Sequence, residues 1–172
     1  MTGCPVCQTF HGSSFGSVPM AQYLVDLRLW EAVLNDNPQV RAIVEIGTWQ
    51  GGFSWFLWAQ AQVRGLEFQT YDAQDPDREP PGFVRLDVWR DPDELAGSLP
   101  EWGPIVLFCD GGNKPRELKT FPPLCAPDSV FVVHDWGTET LPSDVPDFLE
   151  EIYGDYCDSI GSASRVFRMA VS

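Results

Sequence analysis

The sequence predicts an α/β domain built on a mostly parallel sheet, and three observations carry that prediction. Apolar runs that read as buried strands recur at Ala42 to Ile46, Pro104 to Asp110 and Ser129 to Asp135, with helical patterns between them. The first run passes through a glycine-marked turn, Gly47 to Gly52, straight into Phe53, Phe56, Leu57 and Ala61 at helical spacing. Strand after strand then stops on an acid or a glycine: Glu45 to Gly47, Asp72, Asp87, Asp110, and His134 with Asp135. In a parallel sheet those ends share one edge, where open α/β sheets bind ligands.

Taken in order, residues 1–18 are rich in Gly, Ser and Thr and are expected to be irregular. Cys4, Cys7 and His11 offer three zinc ligands where a structural site wants four; two free thiols on a tail is the alternative. Residues 19–36 predict a helix, with Pro19 in the first turn and a stripe of Met20, Tyr23, Leu24, Leu27, Glu31 and Leu34. Leu66 to Asp72 and Phe83 to Val88 read as the second and third strands. The three prolines between Ala73 and Gly82 leave no room for a crossover helix. Asp91-Pro-Asp-Glu94 resembles a capping box opening a short helix to Leu99. After the fourth strand, Gly111-Gly112 precede a helix from about Pro115 to Phe121. A helix from Ser143 or Asp144 through Tyr153, with Gly154 past its end, follows the fifth strand. Cys157 to Ser162 and Arg165 to Val171 then predict a closing antiparallel hairpin.

A chain of 172 residues is most simply one domain, here drawn over 19–172. Its net charge of −14 supplies no basic footprint for nucleic acid and no attraction to anionic membranes. No apolar run reaches the length of a membrane span, and the first residues lack the pattern of a signal peptide. The five cysteines are odd in number and scattered, which fits reduced thiols in a cytoplasmic protein. A homodimer is plausible from the seven tryptophans and the edge of the last hairpin.

Each strand end has a chemical use. Glycines let a backbone approach a ligand closely, and the helix behind them offers free N–H donors. Asp72 suits a bidentate hold on the two ribose hydroxyls of a nucleoside. Asp87 can accept from an adenine amino group, with Val88 as an apolar neighbour for the ring. Glu45 is expected to hold backbone amides of the glycine turn. A single Asp after a strand is commonly a turn former; four at one sheet edge favour a site.

The spacing Glu45-x-Gly47-x-x-x-Gly51 lacks the register of the dinucleotide fingerprint and resembles motif I of the class I S-adenosylmethionine (SAM)-dependent methyltransferases. Tyr71-Asp72, Leu86-Asp87, Cys109-Asp110-Gly111 and Val133-His134-Asp135 follow in that family's order. Pro19-Met-Ala-Gln-Tyr, Asp26-Leu and Trp30-Glu31 ahead of the motif resemble the cephalosporin hydroxylase and rhamnosyl/macrocin O-methyltransferase-like branch, over residues 19 to 171. The resemblance implies a Rossmann-like class I methyltransferase fold: three layers, α/β/α, around a seven-stranded, mostly parallel sheet with a C-terminal antiparallel hairpin. It implies SAM held by Glu45, Gly47, Thr48, Trp49, Gly51, Gly52, Phe53, Ser54, Asp72, Ala73, Asp87, Val88, Asp110 and Gly111. It implies O-methylation of a small or glycosylated hydroxyl substrate, with Asp110, His134 and Asp135 as catalytic residues and ligands of Mg²⁺. His134 is either a metal ligand or a general base. The family pattern carries a histidine soon after the fourth-strand acid, where this chain has Asn113. A SAM-binding module without catalysis is the alternative reading. The glycine spacing disfavours a nicotinamide oxidoreductase, and two histidines in the whole chain supply no facial triad for an iron hydroxylase. Trp49, Trp136 and Phe15 are the candidate pocket aromatics.

Overall fold

The computed structural model describes residues 13–170. A short antiparallel hairpin, β1 (Ser13–Phe15) and β2 (Val18–Met20), leads into α1 (Leu24–Asp36). β3 (Ala42–Ile46) feeds α2 (Gly52–Arg64), and β4 (Glu67–Asp72) runs through a helix-free loop to β5 (Phe83–Arg85). Then come α3 (Pro92–Ser98), β6 (Ile105–Cys109), α4 (Lys114–Thr120), β7 (Val130–Val133), β8 (Leu149–Glu151), α5 (Gly154–Ile160) and β9 (Arg165–Met169).

Seven strands form one sheet in the order β5-β4-β3-β6-β7-β9-β8. The first five are parallel to one another, and β9 runs antiparallel to both β7 and β8. Chain order reverses between β3 and β6, the switch point at which ligands of doubly wound sheets bind. The register makes the strands end level there, because Ile46 pairs with both Tyr71 and Cys109. The next residues, Gly47, Asp72 and Asp110, are thereby delivered to one place.

The central strands β3, β6 and β7 are apolar except at Glu45 because both faces of the sheet are covered. Ile43, Val106, Phe108, Val130, Val132 and Val166 meet α1, α2 and α5, including Trp30, Phe53, Phe56, Leu57 and Cys157. Ala42, Val44, Ile46, Leu107, Phe131 and Phe167 meet Leu95 and Leu118 on α3 and α4. Trp30 is fully buried, its ring edge-on to Phe53 at 5.9 Å and to Phe108 at 5.2 Å. This cluster fixes α1 and α2 against the centre of the sheet.

Gly52, first residue of α2, has no space for a side chain: a Cβ there meets the Pro19 carbonyl oxygen at 2.1 Å and that of Val18 at 2.6 Å. Gly52→Ala is expected to push the β1–β2 hairpin off α2. Limited proteolysis checks this, with faster cleavage near residues 16–20 than in the parent chain; an unchanged pattern contradicts it.

The structure corrects several details. Residues 13–15 and 18–20 are paired strands rather than irregular chain, so Pro19 lies in β2 and the helix starts at Leu24. The buried face of α1 is Asp26, Leu29, Trp30, Val33 and Leu34, while Leu24 and Glu31 face solvent. The expected stripe lies about a quarter turn away because Leu24 is as apolar as the residues that pack. Asp91 makes no side-chain cap, so the capping box at the start of α3 is absent, though Pro92 does open the helix.

The largest difference lies near the C-terminus, where helix and strand exchange places. Val145, Phe148, Leu149 and Ile152 mimic helical spacing, yet Leu149–Glu151 is the strand that pairs with β9. Residues 157–160, expected in a strand, belong to α5, which Gly161 ends in the left-handed region at φ 68°. Cross-strand pairing with Phe167 to Met169 overrides local pattern here. The antiparallel end of the sheet is thus present, built from a different segment. No helix among the described residues is long and apolar enough to cross a membrane. Cys109, Cys125 and Cys157 are free thiols; Cys4, Cys7 and His11 lie outside the described residues.

Candidate functional site

A cleft of about 710 Å³ opens over the carboxyl ends of β3, β4, β6 and β7. A second, narrower pocket of about 110 Å³ continues from it between β4, β5 and α4. Gly47, Asp72, Gly111 and Gly112 border both.

The glycine turn is held from below by Asp72. One carboxylate oxygen, Oδ2, accepts the Thr48 and Trp49 amides at 3.0 and 2.9 Å, and Oδ1 accepts the Gln74 amide at 3.0 Å. The sequence assigned those amides to Glu45. Glu45 instead points to the α2 face of the sheet, where it accepts from the Ser54 hydroxyl and interacts with Thr70. Side chains alternate along a strand, so residue 45 faces the layer that Ile43 faces, away from the turn's amides. Burial pushes the Glu45 carboxyl up to about 8 against the pull of those hydroxyls. The Thr48 hydroxyl joins Thr70 at 2.6 Å and locks the start of the turn to β4. Trp49 itself is exposed at the cleft rim with a positive φ of 49°, a conformation the two amide bonds to Asp72 hold in place.

The narrow pocket is lined by Tyr71, Ala73, Leu86, Asp87, Val88 and Trp89, among others. Asp87 spends Oδ1 on the amides of Trp89 and Arg90. Trp89, absent from the sequence reading, carries the Arg116 guanidinium over its ring at 4.0 Å. Glu117 closes the floor. It accepts from the amides of Gly111 and Asn113, and burial nevertheless raises its carboxyl to about 7.

At the other end of the cleft, Asp110, His134 and Asp135 bring ligand atoms within 4.8 Å of one another. His134 Nδ1 lies 3.3 Å from Asp110 Oδ1 and 3.4 Å from Asp135 Oδ1. Burial opposes the imidazolium, but hydrogen bonding and charge from the two carboxylates outweigh it and raise His134 to about 10. In return His134 holds Asp135 well below the ordinary carboxylate range. The two carboxylates thus favour the imidazolium form of His134.

Sequence reasoning missed three residues at this end, Gln22, Lys114 and Glu139. Gln22, just ahead of α1, donates to Asp110 Oδ2 at 2.6 Å. Lys114, the first residue of α4, sets its ammonium 2.7 Å from Glu139, 3.0 Å from Asp135 and 3.4 Å from Asp110. Lys114 follows Asp110 by four residues, a spacing that signals a pair; nothing local points to Gln22. Asp110, Asp135, Glu139 and the buried ammonium belong to one ion network, and the carboxylates keep Lys114 charged well above its ordinary range despite burial.

Of the residues singled out from sequence, Glu45, Gly47, Thr48, Trp49, Phe53, Asp72, Asp110, Gly111, His134 and Asp135 line the main cleft. Ala73, Asp87 and Val88 line the narrow pocket. Gly51, Gly52 and Ser54 stand behind the turn, under neither cavity. Phe15 packs edge-on to Phe56 at 6.0 Å, and Trp136 packs on Phe167 with Arg165 over its ring, so neither serves as a pocket aromatic.

The donor set suits a divalent cation in kind: two hard carboxylates and one imidazole converge. The same two carboxylates also hold Lys114.

The chain matches no protein-family model and no curated protein. Solved structures do resemble it. CmcI with SAH shares 15% identity over 91% of this chain and 81% of that one, at a TM-score of 0.67. The CmcI apo-structure shares 14% over 93% and 77%, with a TM-score of 0.71. CmcI with Mg-SAM shares 14% over 92% and 77%, with a TM-score of 0.67. At that identity the likeness speaks to architecture, and with the strand order it gives the conclusion: this chain has the Rossmann-like fold of the class I methyltransferases, with five parallel strands and an antiparallel end.

Proposed function

We propose that the protein is a SAM-dependent methyltransferase that methylates a hydroxyl oxygen of a small or glycosylated acceptor. The observation that carries this reading is the two-part cavity joined at Asp72 and Gly47. The narrow pocket would take the adenine, with Leu86, Val88 and Trp89 as apolar neighbours and Asp87 and Glu117 as acids beside it. Asp72 Oδ1, bonded once to Gln74, retains an acceptor site for a ribose hydroxyl, so one hydroxyl is held firmly in place of the bidentate pair expected from sequence. The sulfonium and ammonium of SAM then fall in the main cleft among acids. The CmcI structures with SAH and Mg-SAM support this placement by analogy of fold.

The acceptor hydroxyl enters beside Asp110, His134 and Asp135. Its oxygen attacks the methyl carbon, the carbon–sulfur bond breaks with its electron pair returning to sulfur, and the hydroxyl proton leaves to water at the open mouth of the cleft. Lys114 and protonated His134 stabilise the negative charge that develops on the oxygen. A divalent cation held by Asp110, Asp135 and a neutral His134, in place of those two cations, would instead supply Lewis-acid polarisation of that hydroxyl. Gln22 fixes the Asp110 carboxylate through its 2.6 Å bond.

Calorimetric titration with SAM tests the reading. Asp72→Asn keeps one carbonyl acceptor for the turn but removes the charge, and is expected to weaken SAM binding by about tenfold or more, the size of one charged hydrogen bond. No binding by the folded parent chain overturns the proposal. Binding without turnover in an acceptor screen favours the non-catalytic module.

A further inference from the structure

Lys114 does more than offer charge to a reacting oxygen. Its side chain is only 5% exposed, its ammonium donates to the Gly111 carbonyl at 3.3 Å, and it touches all three carboxylates at this end of the cleft. Two of those carboxylates, Asp110 and Asp135, are the ones that converge with His134. A Mg²⁺ ion sits about 2.0–2.1 Å from its carboxylate oxygens. Bound to Asp110 and Asp135 it lies within a few ångströms of an ammonium already 3.0 and 3.4 Å from the same groups. Two cations at that separation in a partly dry cleft repel strongly. Both cannot hold the acid pair at once.

We infer that Lys114 is the resident counter-cation of the Asp110–Asp135 pair, and that it sets the divalent-metal affinity of the cleft by competing for those oxygens. The protein brings its own charge to the place where a divalent cation would sit. Entry of a metal requires the ammonium to withdraw toward Glu139, which lies on the exposed loop after β7 and gives Lys114 its shortest contact. Lysine suits this role as a compact charge on a flexible stem. The inference rests on the proposed function only in naming what the cation is for; the competition itself needs no SAM.

The test is a Mn²⁺ titration without SAM, read by the free-ion resonance signal, on the parent chain, Lys114→Met and the exposed same-helix control Lys119→Met. Lys114→Met is expected to bind Mn²⁺ at least tenfold more tightly than the parent. Lys119→Met, which removes the same charge at a distance, is expected to stay within twofold. Adding Asp135→Asn to Lys114→Met is expected to erase the gain. Should Lys114→Met fail to fold, Lys114→Gln, which keeps a donor for Glu139, carries the same comparison. Equal affinities in the parent and the Lys114 variant, or an equal gain in Lys119→Met, overturn the inference. So does the absence of Mn²⁺ binding in every variant. SAM titration of the same samples keeps this outcome separate from that of the proposed function.

Discussion

Gly47→Ala is expected to lower the midpoint of thermal unfolding by roughly 5–15 °C and to abolish SAM binding. Gly47 sits at φ 99°, where alanine is strained by about 1–2 kcal/mol. An added Cβ also meets the Asp110 carbonyl oxygen at 2.3 Å, its carbon at 2.6 Å and the Gly111 nitrogen at 2.8 Å. Those are backbone atoms and cannot rotate away. They are tied as well, since Asp110 donates to the Ile46 carbonyl at 2.9 Å and Gly47 to that of Tyr71 at 2.8 Å. Overpacking of this kind costs about 1–3 kcal/mol, and each kcal/mol is worth about 2–4 °C in a chain of this size. Relief requires the ends of β3 and β6 to part, which moves the turn that contacts the ligand. A midpoint within 2 °C of the parent, with binding intact, contradicts this account.

Glu45→Gln is expected to do the opposite at alkaline pH and stabilise the protein. The Glu45 carboxyl is 1% exposed and raised from 4.5 to about 8, chiefly by burial, with Asp110 and Asp72 adding to it. Between those two values the folded chain keeps a proton that the unfolded chain has lost. Folding then takes up a proton, so stability falls as pH rises through that window, by up to about 1.4 kcal/mol per pH unit for one group. Glutamine mimics the protonated form, keeps an oxygen for Ser54 and titrates nowhere. Urea unfolding at pH 5 and pH 8 gives the comparison. The parent is expected to lose about 2 kcal/mol or more beyond what the variant loses, given a shift of this size. Glu117, raised to about 7 by burial, contributes a slope of the same sign to both proteins, so the difference between them is the diagnostic. Parallel pH profiles would rule out a buried neutral Glu45.

The sheet's centre was legible because β3, β6 and β7 are buried on both faces and are apolar at every position but Glu45. The crevice was legible for a related reason: parallel strands that end level display their last residues together, so Gly47, Asp72, Asp110 and Asp135 announce a site without any contact being known. What local pattern could not reveal is partnership. The Glu45 and Asp72 roles were exchanged because sheet face, not proximity in sequence, decides which carboxylate reaches the turn's amides. Leu24 and Leu29 are indistinguishable until Phe108 and Phe53 choose the face of α1 that carries Trp30. Leu149–Glu151 becomes a strand only in the presence of β9. Gln22 and Glu139 join the site from loops that carry no periodicity at all.

The last strand in the chain occupies an interior place in the sheet, between β7 and β8. Synthesis therefore delivers β8 before the one strand it pairs with, and β7 waits with one edge open until residues 165–169 arrive. The loop ahead of β9 adds a second tie, from the Ser162 hydroxyl to the buried Asp26 of α1. α1 follows Gln22, the residue that grips Asp110. The growing chain thus holds every strand-end acid of the crevice before it can lock them, and residues 162–169 act as the fastener. A ribosome-bound chain halted before Arg165 keeps an open β-edge at Val130–Val133.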